Sequence, residues 1–272
     1  ADAGIATPRW ISTDETTTAE GLVEALGLPL VLKQPLASGG RGMRRCADVD
    51  AVRSALGVGM IAEVYQEGRQ MSVESLVVDG KVVFESCTEY LTPMVSNLVR
   101  ARLDDGEFEE VKRFNRAVIE AIDVERGMTH VELYRTAEGP SFGEIALRPP
   151  GGYLMDLLSI SWLFDPWQTW LDTELGGAVD AVASSGLSAG SILFHPGAGT
   201  LAAIEGFDPW LRSSAVVRGR RRVEVGDAIR VRSGAGQEVG HLVVKGESPE
   251  MVAGLLSRIE REVVFRVDQT PR

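Results

Sequence analysis

A chain of 272 residues, 44% hydrophobic and 25% charged, has an ordinary globular composition and is long enough for one large core or two moderate ones. Its formal net charge of −11, from 39 acidic against 28 basic residues, argues against a surface that grips nucleic acid or an anionic membrane. No run approaches the roughly 18 apolar residues of a membrane span, and Cys46, Cys87 and three scattered histidines offer neither a disulfide framework nor a histidine-rich metal site. With no leader-like segment at the start, a cytoplasmic protein with reduced thiols is expected.

In chain order, Thr13 or Asp14 is placed to cap a helix running to about Leu26, stopped by Gly27 and Pro29. Residues 28 to 35 (LPLVLKQP) read as a short buried strand carrying one lysine, followed by the glycine-rich ASGGRG. Asp48 can cap a short helix ending near Gly57. Residues 60 to 66 and 71 to 78 read as strands, and Asp79-Gly80 makes a tight turn into KVVFESC. Phe108, Val111, Phe114, Val118 and Ile122 recur at helical spacing. Strands over 128 to 135 and 141 to 148 follow. Residues 153 to 175 form an apolar helical stretch with Trp162, Trp167 and Trp170 packed inward. RGRRR at 218 to 222 reads as a solvated strand face or turn. Ser248 caps a last helix with Pro249 in its first turn and Met251, Val252, Leu255, Leu256 and Ile259 facing the core. Strands and helices mix without regular β-α-β alternation, so the fold class is α+β.

The sharpest feature is the pair of strands around TAEGP. If residues 136 to 140 form the loop, Arg135 faces Ser141 and Glu132 faces Glu144. Alternation then puts His130, Glu132 and Tyr134 on one face with Phe142, Glu144 and Arg148. Carboxylates directly opposed at about 5 Å between Cβ atoms repel unless a proton, an arginine or a cation lies between them. An all-oxygen acidic pair suits Mg²⁺ completed by water and phosphates. An exposed hairpin with its acids in water, or a register slipped by one residue, gives the same sequence. Ser38, Gly39, Gly40, Arg41 and Gly42 can wrap phosphates through backbone N–H groups, with Lys33 in reach, or form a surface turn. In AEVYQEG, Glu63 sits inside an apolar strand that leads to a glycine turn. His130 reads as a substrate-orienting group or a hydrogen-bonded structural histidine, and His195 as a loop residue.

In this order the three features resemble the ATP-grasp superfamily. GIATPRW, LPLVLKQPLASGGRGM, AEVYQEGRQMSVESLVVDGK and MTHVELYRTAEGPSFGEIALRPPGG carry the resemblance, and HPGAGTLAAIEG is similar to the post-grasp segment of carboxylate-amine ligases such as L-amino acid ligases. The resemblance implies two α+β lobes gripping ATP with a strand-rich C-terminal extension. The implied divisions are a small lobe over 1 to 63, a large lobe over 64 to 200 and the extension over 201 to 272.

It makes Lys33 a phosphate ligand, and Ser38, Gly39, Gly40 and Gly42 the lid. Glu63 becomes the adenine-amine contact, the Val64 to Tyr65 backbone the ring edge, and Gln70 the ribose contact. Glu132 and Glu144 become the Mg²⁺ ligands, with Mn²⁺ as a substitute, and Arg148 the holder of the transferring phosphoryl group. Gly151 and Gly152 would let substrate approach the backbone. The implied activity is ADP-forming ligation: a carboxylate is activated as an acyl-phosphate and captured by an amine, with amino-acid or dipeptide-type substrates. A carboxylase-type enzyme with another acceptor and a non-catalytic ATP-binding regulatory module are the alternatives.

Two positions depart from the pattern: Ala146 stands where the family carries a metal-binding asparagine, and Gln70 where a ribose-binding glutamate is common. The family's first phosphate lysine and its pre-grasp domain have no counterpart in the sequence, so an upstream domain or partner chain is expected. Arg100 or Arg102 could stand in for that lysine. A homodimer is compatible with the sequence.

Overall fold

The computed structural model describes residues 3–36, 39–232, 234 and 236–268. The first part of the chain forms β1 (Trp10–Ser12), α1 (Ala19–Leu26), β2 (Leu30–Lys33), β3 (Arg44–Cys46), α2 (Val49–Ala55) and β4 (Ile61–Val64). Its strands make a four-stranded antiparallel sheet in the order β1-β4-β2-β3. The helices seal one face through Leu22, Leu26, Val52 and their neighbours. Asp48 caps α2 as expected, accepting from the Ala51 N–H at 2.8 Å. The cap of α1, however, is Thr18. Asp14 instead makes a local turn with Thr16 and Thr17, and Thr13 is buried, its hydroxyl donating to the Gly57 carbonyl at 2.7 Å. Each polar side chain bonds the backbone it reaches first, which delays the helix by a turn.

Next come β5 (Arg69–Val78), β6 (Lys81–Thr92), β7 (Ser96–Val99), α3 (Asp105–Ala121), β8 (Gly127–Thr136), β9 (Gly139–Ala146), α4 (Leu154–Ser161), α5 (Pro166–Glu174) and β10 (Ser188–Phe194). The last stretch holds β11 (Gly199–Glu205), α6 (Phe207–Leu211), β12 (Val216–Arg221), β13 (Ala228–Ile229), β14 (Gly240–Gly246), α7 (Pro249–Glu262) and β15 (Val264–Asp268). Eight of these strands form an antiparallel sheet in the order β12-β14-β10-β7-β6-β5-β8-β9, so β12 and β14 continue the large sheet beside β10. A three-stranded sheet, β13-β11-β15, packs beside them.

Helices cover both faces of the large sheet. Leu98, Leu242 and Val244 meet α7 through Val252, Leu256 and Ile259. Val99, Ala189 and Val243 meet α4 through Leu154, Leu157 and Leu158. Burying a full aliphatic side chain in such a layer stabilises by roughly 1.5–3 kcal/mol, so these helices are held by packing more than by propensity. Two apolar expectations fail at the surface: Trp167 is 54% exposed and Met251 52% exposed. Each lies in the first turn of its helix, while Trp162 and Trp170 do pack against the core.

The face that carries α4 turns polar further along the sheet. Ser72, Glu74, Thr88, His130, Glu132 and Asn97 stand there in cross-strand register. Sequence alternation alone hides this, because the opposite face of the same strands is filled by α3 against Met71, Val73, Cys87 and Leu133.

Candidate functional site

A cavity of about 610 Å³ lies between the four-stranded sheet and the polar face of the large sheet. Lys33 and Glu63 line it from the first side, Gln70, His130, Glu132 and Glu144 from the second. Arg148, Gly151 and Gly152 line it beyond the end of β9.

Glu132 and Glu144 are directly opposed, as expected, but the route differs. The hairpin loop is tighter, with Thr136 paired to Gly139, and a bulge at Gly143 restores the register before Glu144. A Cβ on Gly143 would come within 3.1 Å of the Glu132 carbonyl oxygen, so the close backbone approach favours glycine there. The bulge puts Phe142 opposite Leu133, on the face away from Glu132, and its N–H donates to the Ala6 carbonyl at 2.8 Å. Leu147 is 62% exposed, because the strand has ended at Ala146.

The two carboxylates live in different surroundings. Glu132 accepts from Gln70 Nε2 at 3.2 Å, from Tyr90 Oη at 3.4 Å and from His130 Nε2 at 3.3 Å. Burial alone would raise its pKa, yet the His130 charge and these donors hold the carboxyl below its usual range. Glu144 has no hydrogen bond or ion pair among the described residues, and burial together with the Glu132 charge pushes it up. An unpartnered carboxylate beside an ionised one is a donor set that fits a hard divalent cation, the remaining positions going to water and phosphate oxygens. Among the described residues no cluster of three or more His, Cys, Asp or Glu side chains forms a self-sufficient metal cage, so protein groups alone would hold such an ion weakly.

His130 rests on a partner that sequence reasoning passed over. Glu74, fully buried, accepts from Ser72 Oγ and Thr88 Oγ1 at 2.6 Å each and from His130 Nδ1 at 2.9 Å. Burial disfavours the imidazolium, but hydrogen bonds to Glu132 and Glu74 outweigh it, and the group is pushed up to about 9. A charged, doubly anchored His130 orients Glu132, which joins the two readings left open for it. Alternating Ser, Glu and Thr at 72, 74 and 88 inside apolar strands was the available signal.

Lys33 and Glu63, expected at opposite ends of one ligand, pair with each other at 2.9 Å. Gly39 and Gly40 line the cavity with φ of 62° and 71°, Gly40 lying over Met94, whereas Gly42 faces a separate groove with Gln34 and Arg44. Ser38 lies outside the described residues. Val64 and Tyr65 are not on the cavity wall, and their N–H groups already donate to the carbonyls of Arg9 and Pro29 at 3.0 and 3.1 Å. Of the three residues expected around the adenine, only Glu63 lines the cavity. Arg148 does line it, its Nη1 donating to the Pro149 carbonyl at 2.8 Å. Arg100 and Arg102 do not line it: Arg100 donates to the Leu187 carbonyl at 3.3 Å, and Arg102 grips Glu89 at 2.7 and 2.9 Å.

The far wall was invisible in the sequence. Tyr153, Arg232 and Glu238 line it, from the segment after Gly152 and the stretch before β14. Asn97 closes the floor, its Nδ2 donating to the Gly152 carbonyl at 3.3 Å. A Cβ at Gly152 would sit 2.9 Å from that amide, and the φ of 63° there also favours glycine.

Comparison with known proteins locates this architecture. Residues 191–268 match the family described as L-amino acid ligase C-terminal domain 2. An L-arginine-specific L-amino acid ligase of Bacillus subtilis is 26% identical over 184 residues, 61% of this chain. The chain spans 44% of that relative's length. Among solved structures, an L-amino acid ligase from Bacillus licheniformis superposes with a TM-score of 0.80 at 18% identity, covering 98% of this chain and 71% of that one. N5-carboxyaminoimidazole ribonucleotide synthetase from Thermotoga maritima superposes with a TM-score of 0.72 at 15% identity, covering 98% of this chain and 70% of that one.

Proposed function

From a chain that has the ATP-grasp fold and is similar to L-amino acid ligases, we propose an ATP-dependent carboxylate-amine ligase acting on amino-acid or dipeptide-type substrates. The observation that carries this reading is the opposed pair Glu132 and Glu144 facing one cavity with Lys33, Gly39, Gly40 and Arg148. The γ-phosphoryl group of ATP would pass to a substrate carboxylate, giving ADP and an acyl-phosphate. An amine then attacks the carbonyl carbon, phosphate leaves, and the attacking nitrogen loses a proton to solvent.

Glu132 and Glu144 would hold Mg²⁺, or Mn²⁺ in its place, which neutralises phosphate charge when bound. His130 and Gln70 fix Glu132 for that task, and Arg148 holds the transferring group. The glycine loop excludes water from the acyl-phosphate, which would otherwise hydrolyse. No side-chain nucleophile is needed, which agrees with the absence of a Ser-His-Asp or Cys-His set in the sequence. Ala146, opposite His130, withdraws no support from Glu132, because His130, Gln70 and Tyr90 already bond it.

The direct test is ADP and phosphate formation with Mg²⁺, ATP and a panel of acid and amine pairs. Arginine belongs in that panel, since the Bacillus subtilis relative is named for it. Product release that requires both an acid and an amine supports the ligase. Tight ATP binding with no turnover for any pair would replace it with a nucleotide-binding regulatory module.

A further inference from the structure

The far wall of the cavity contains a polar cluster that the proposed phosphoryl transfer does not use. Glu238 is a cavity-lining residue whose side chain is only 3% exposed. Its Oε1 accepts from Arg222 Nη2 and from Tyr153 Oη, both at 3.0 Å. Its Oε2 is buried and has no hydrogen-bond partner among the described residues. A buried carboxylate oxygen left unpaired is costly, so one on a cavity wall calls for a donor that the chain does not supply.

Proton bookkeeping fixes the sign of that missing partner. Tyr153 Oη is 2.9 Å from His241 Nδ1 and also receives Arg222 Nη2 at 3.1 Å. Tyrosine has one proton to give. Placing it toward Glu238 leaves no two acceptors in contact, and His241 Nδ1–H then donates to the phenol. His241 stays neutral in this arrangement: burial first, and then Arg222, hold its pKa below the usual histidine value. The contacts of Oε1 are therefore satisfied, and what Oε2 lacks is a hydrogen-bond donor; His241 Nε2, also buried, is the other atom of the network without a partner among the described residues.

Tyr153 is placed for this at some cost. It adopts φ 66°, in the left-handed region that a bulky side chain rarely enters, and its ring stacks on His241 with centroids 4.1 Å apart. It directly follows Gly152, so the Glu238 cluster adjoins the glycines expected to let substrate approach the backbone. Across the wall, Arg232 donates to the carbonyls of Gly234 and Met94, at 3.2 and 2.9 Å, and has no carboxylate partner among the described residues.

We propose that Glu238, steadied by Tyr153 and Arg222, binds a protonated nitrogen of the acid substrate that takes no part in the reaction. This rests on the reading of the cavity as a carboxylate-activating site. The nitrogen is either the α-ammonium group or a side-chain cation, and both are met by the same oxygen. A zwitterionic or basic amino acid is thereby selected over a plain carboxylic acid.

Calorimetric titration of the intact protein, saturated with Mg²⁺ and a non-hydrolysable ATP analogue, tests this without turnover. Four six-carbon acids separate the sources: L-norleucine, 6-aminohexanoate, L-lysine and hexanoate. Wild type is expected to bind an amine-bearing acid about 10- to 100-fold more tightly than hexanoate, the range of a charge-assisted hydrogen bond. Glu238→Gln, which keeps the shape and the Oε1 contacts, removes that advantage and leaves hexanoate and nucleotide affinity unchanged. Loss confined to norleucine and lysine assigns the α-amino group, and loss confined to 6-aminohexanoate and lysine assigns the side-chain cation. Tyr153→Phe, which keeps the charge, produces a smaller loss of the same pattern. Wild type that binds all four acids alike, or a Gln variant that weakens all four equally or none, overturns the proposal. Phosphate release by wild type is read separately, so failure of the ligase reading shows there and not in the pattern across the acids.

Discussion

The cavity has two acidic walls, and they are built on opposite plans. At Glu132 and Glu144 negative charge is in excess: one imidazolium serves Glu132, and Glu144 has no hydrogen-bond or ion-pair partner among the described residues. At Glu238 the charge is already balanced by Arg222, and what remains is a single oriented oxygen. The first wall requires a cation to complete it, and the second only chooses what it will hydrogen-bond. A carboxylate's neighbours, more than its presence, therefore distinguish a candidate metal ligand from a candidate specificity group.

Breaking the support of the first wall should give the largest effect. Glu74→Ala leaves a buried imidazolium short of one anchor, and such a loss costs about 3–5 kcal/mol. Urea unfolding should show it, while Glu238→Ala costs clearly less because Arg222 reaches solvent. Equal costs would erase the contrast. Glu144→Ala should lower ATP turnover by at least about 100-fold, the upper end of what outer-shell changes produce at metal sites. Its melting temperature should hold or rise, since the substitution removes repulsion with Glu132. A retained rate counts against the metal assignment.

Lys33→Ala should weaken nucleotide binding by about 10-fold with little change in turnover at saturation, since a single charged hydrogen bond is involved. An unchanged affinity in a direct nucleotide titration moves the phosphate site elsewhere. The smallest effect concerns His241. Its folded pKa lies below the ordinary 6.5, so the unfolded chain binds more protons as pH falls past that value, and stability declines on the acid side. His241→Gln should shrink the drop in melting temperature between pH 7.5 and pH 5.5, and an unaltered drop places the titration on another group.

What could be read from the residues follows from how local the cause is. Asp48, Ser248 and the Asp79-Gly80 turn act within a few residues of themselves, and the structure has them as expected. The Glu132 and Glu144 pair was also legible, though two misplacements cancelled: the loop is shorter than expected, and the Gly143 bulge makes up the difference. The cap at Thr18 was lost because Thr13, Asp14, Thr16, Thr17 and Thr18 all carry capping side chains, and only tertiary contacts decide among them.

Glu238 was out of reach for another reason. It lies 85 residues from Tyr153 along the chain, and the two meet only because β14 is placed beside β10 and α4 packs on that face. Nothing in the run GAGQEVGH distinguishes a cavity-wall glutamate from a loop glutamate.

The contact between Lys33 and Glu63 gives the nucleotide end of the cavity a property of its own. If Glu63 takes the adenine amine and Lys33 the phosphates, ATP enters by exchange: the base draws the carboxylate off the lysine, and the freed ammonium then meets the phosphates. Each half of the nucleotide thus lowers the cost of seating the other. Adenosine alone or triphosphate alone must break the pair, worth on the order of 1 kcal/mol at such an exposure, and regain only one side. Bound together they should favour each other beyond additivity, so the cleft discriminates whole ATP from its parts by synergy between its ends.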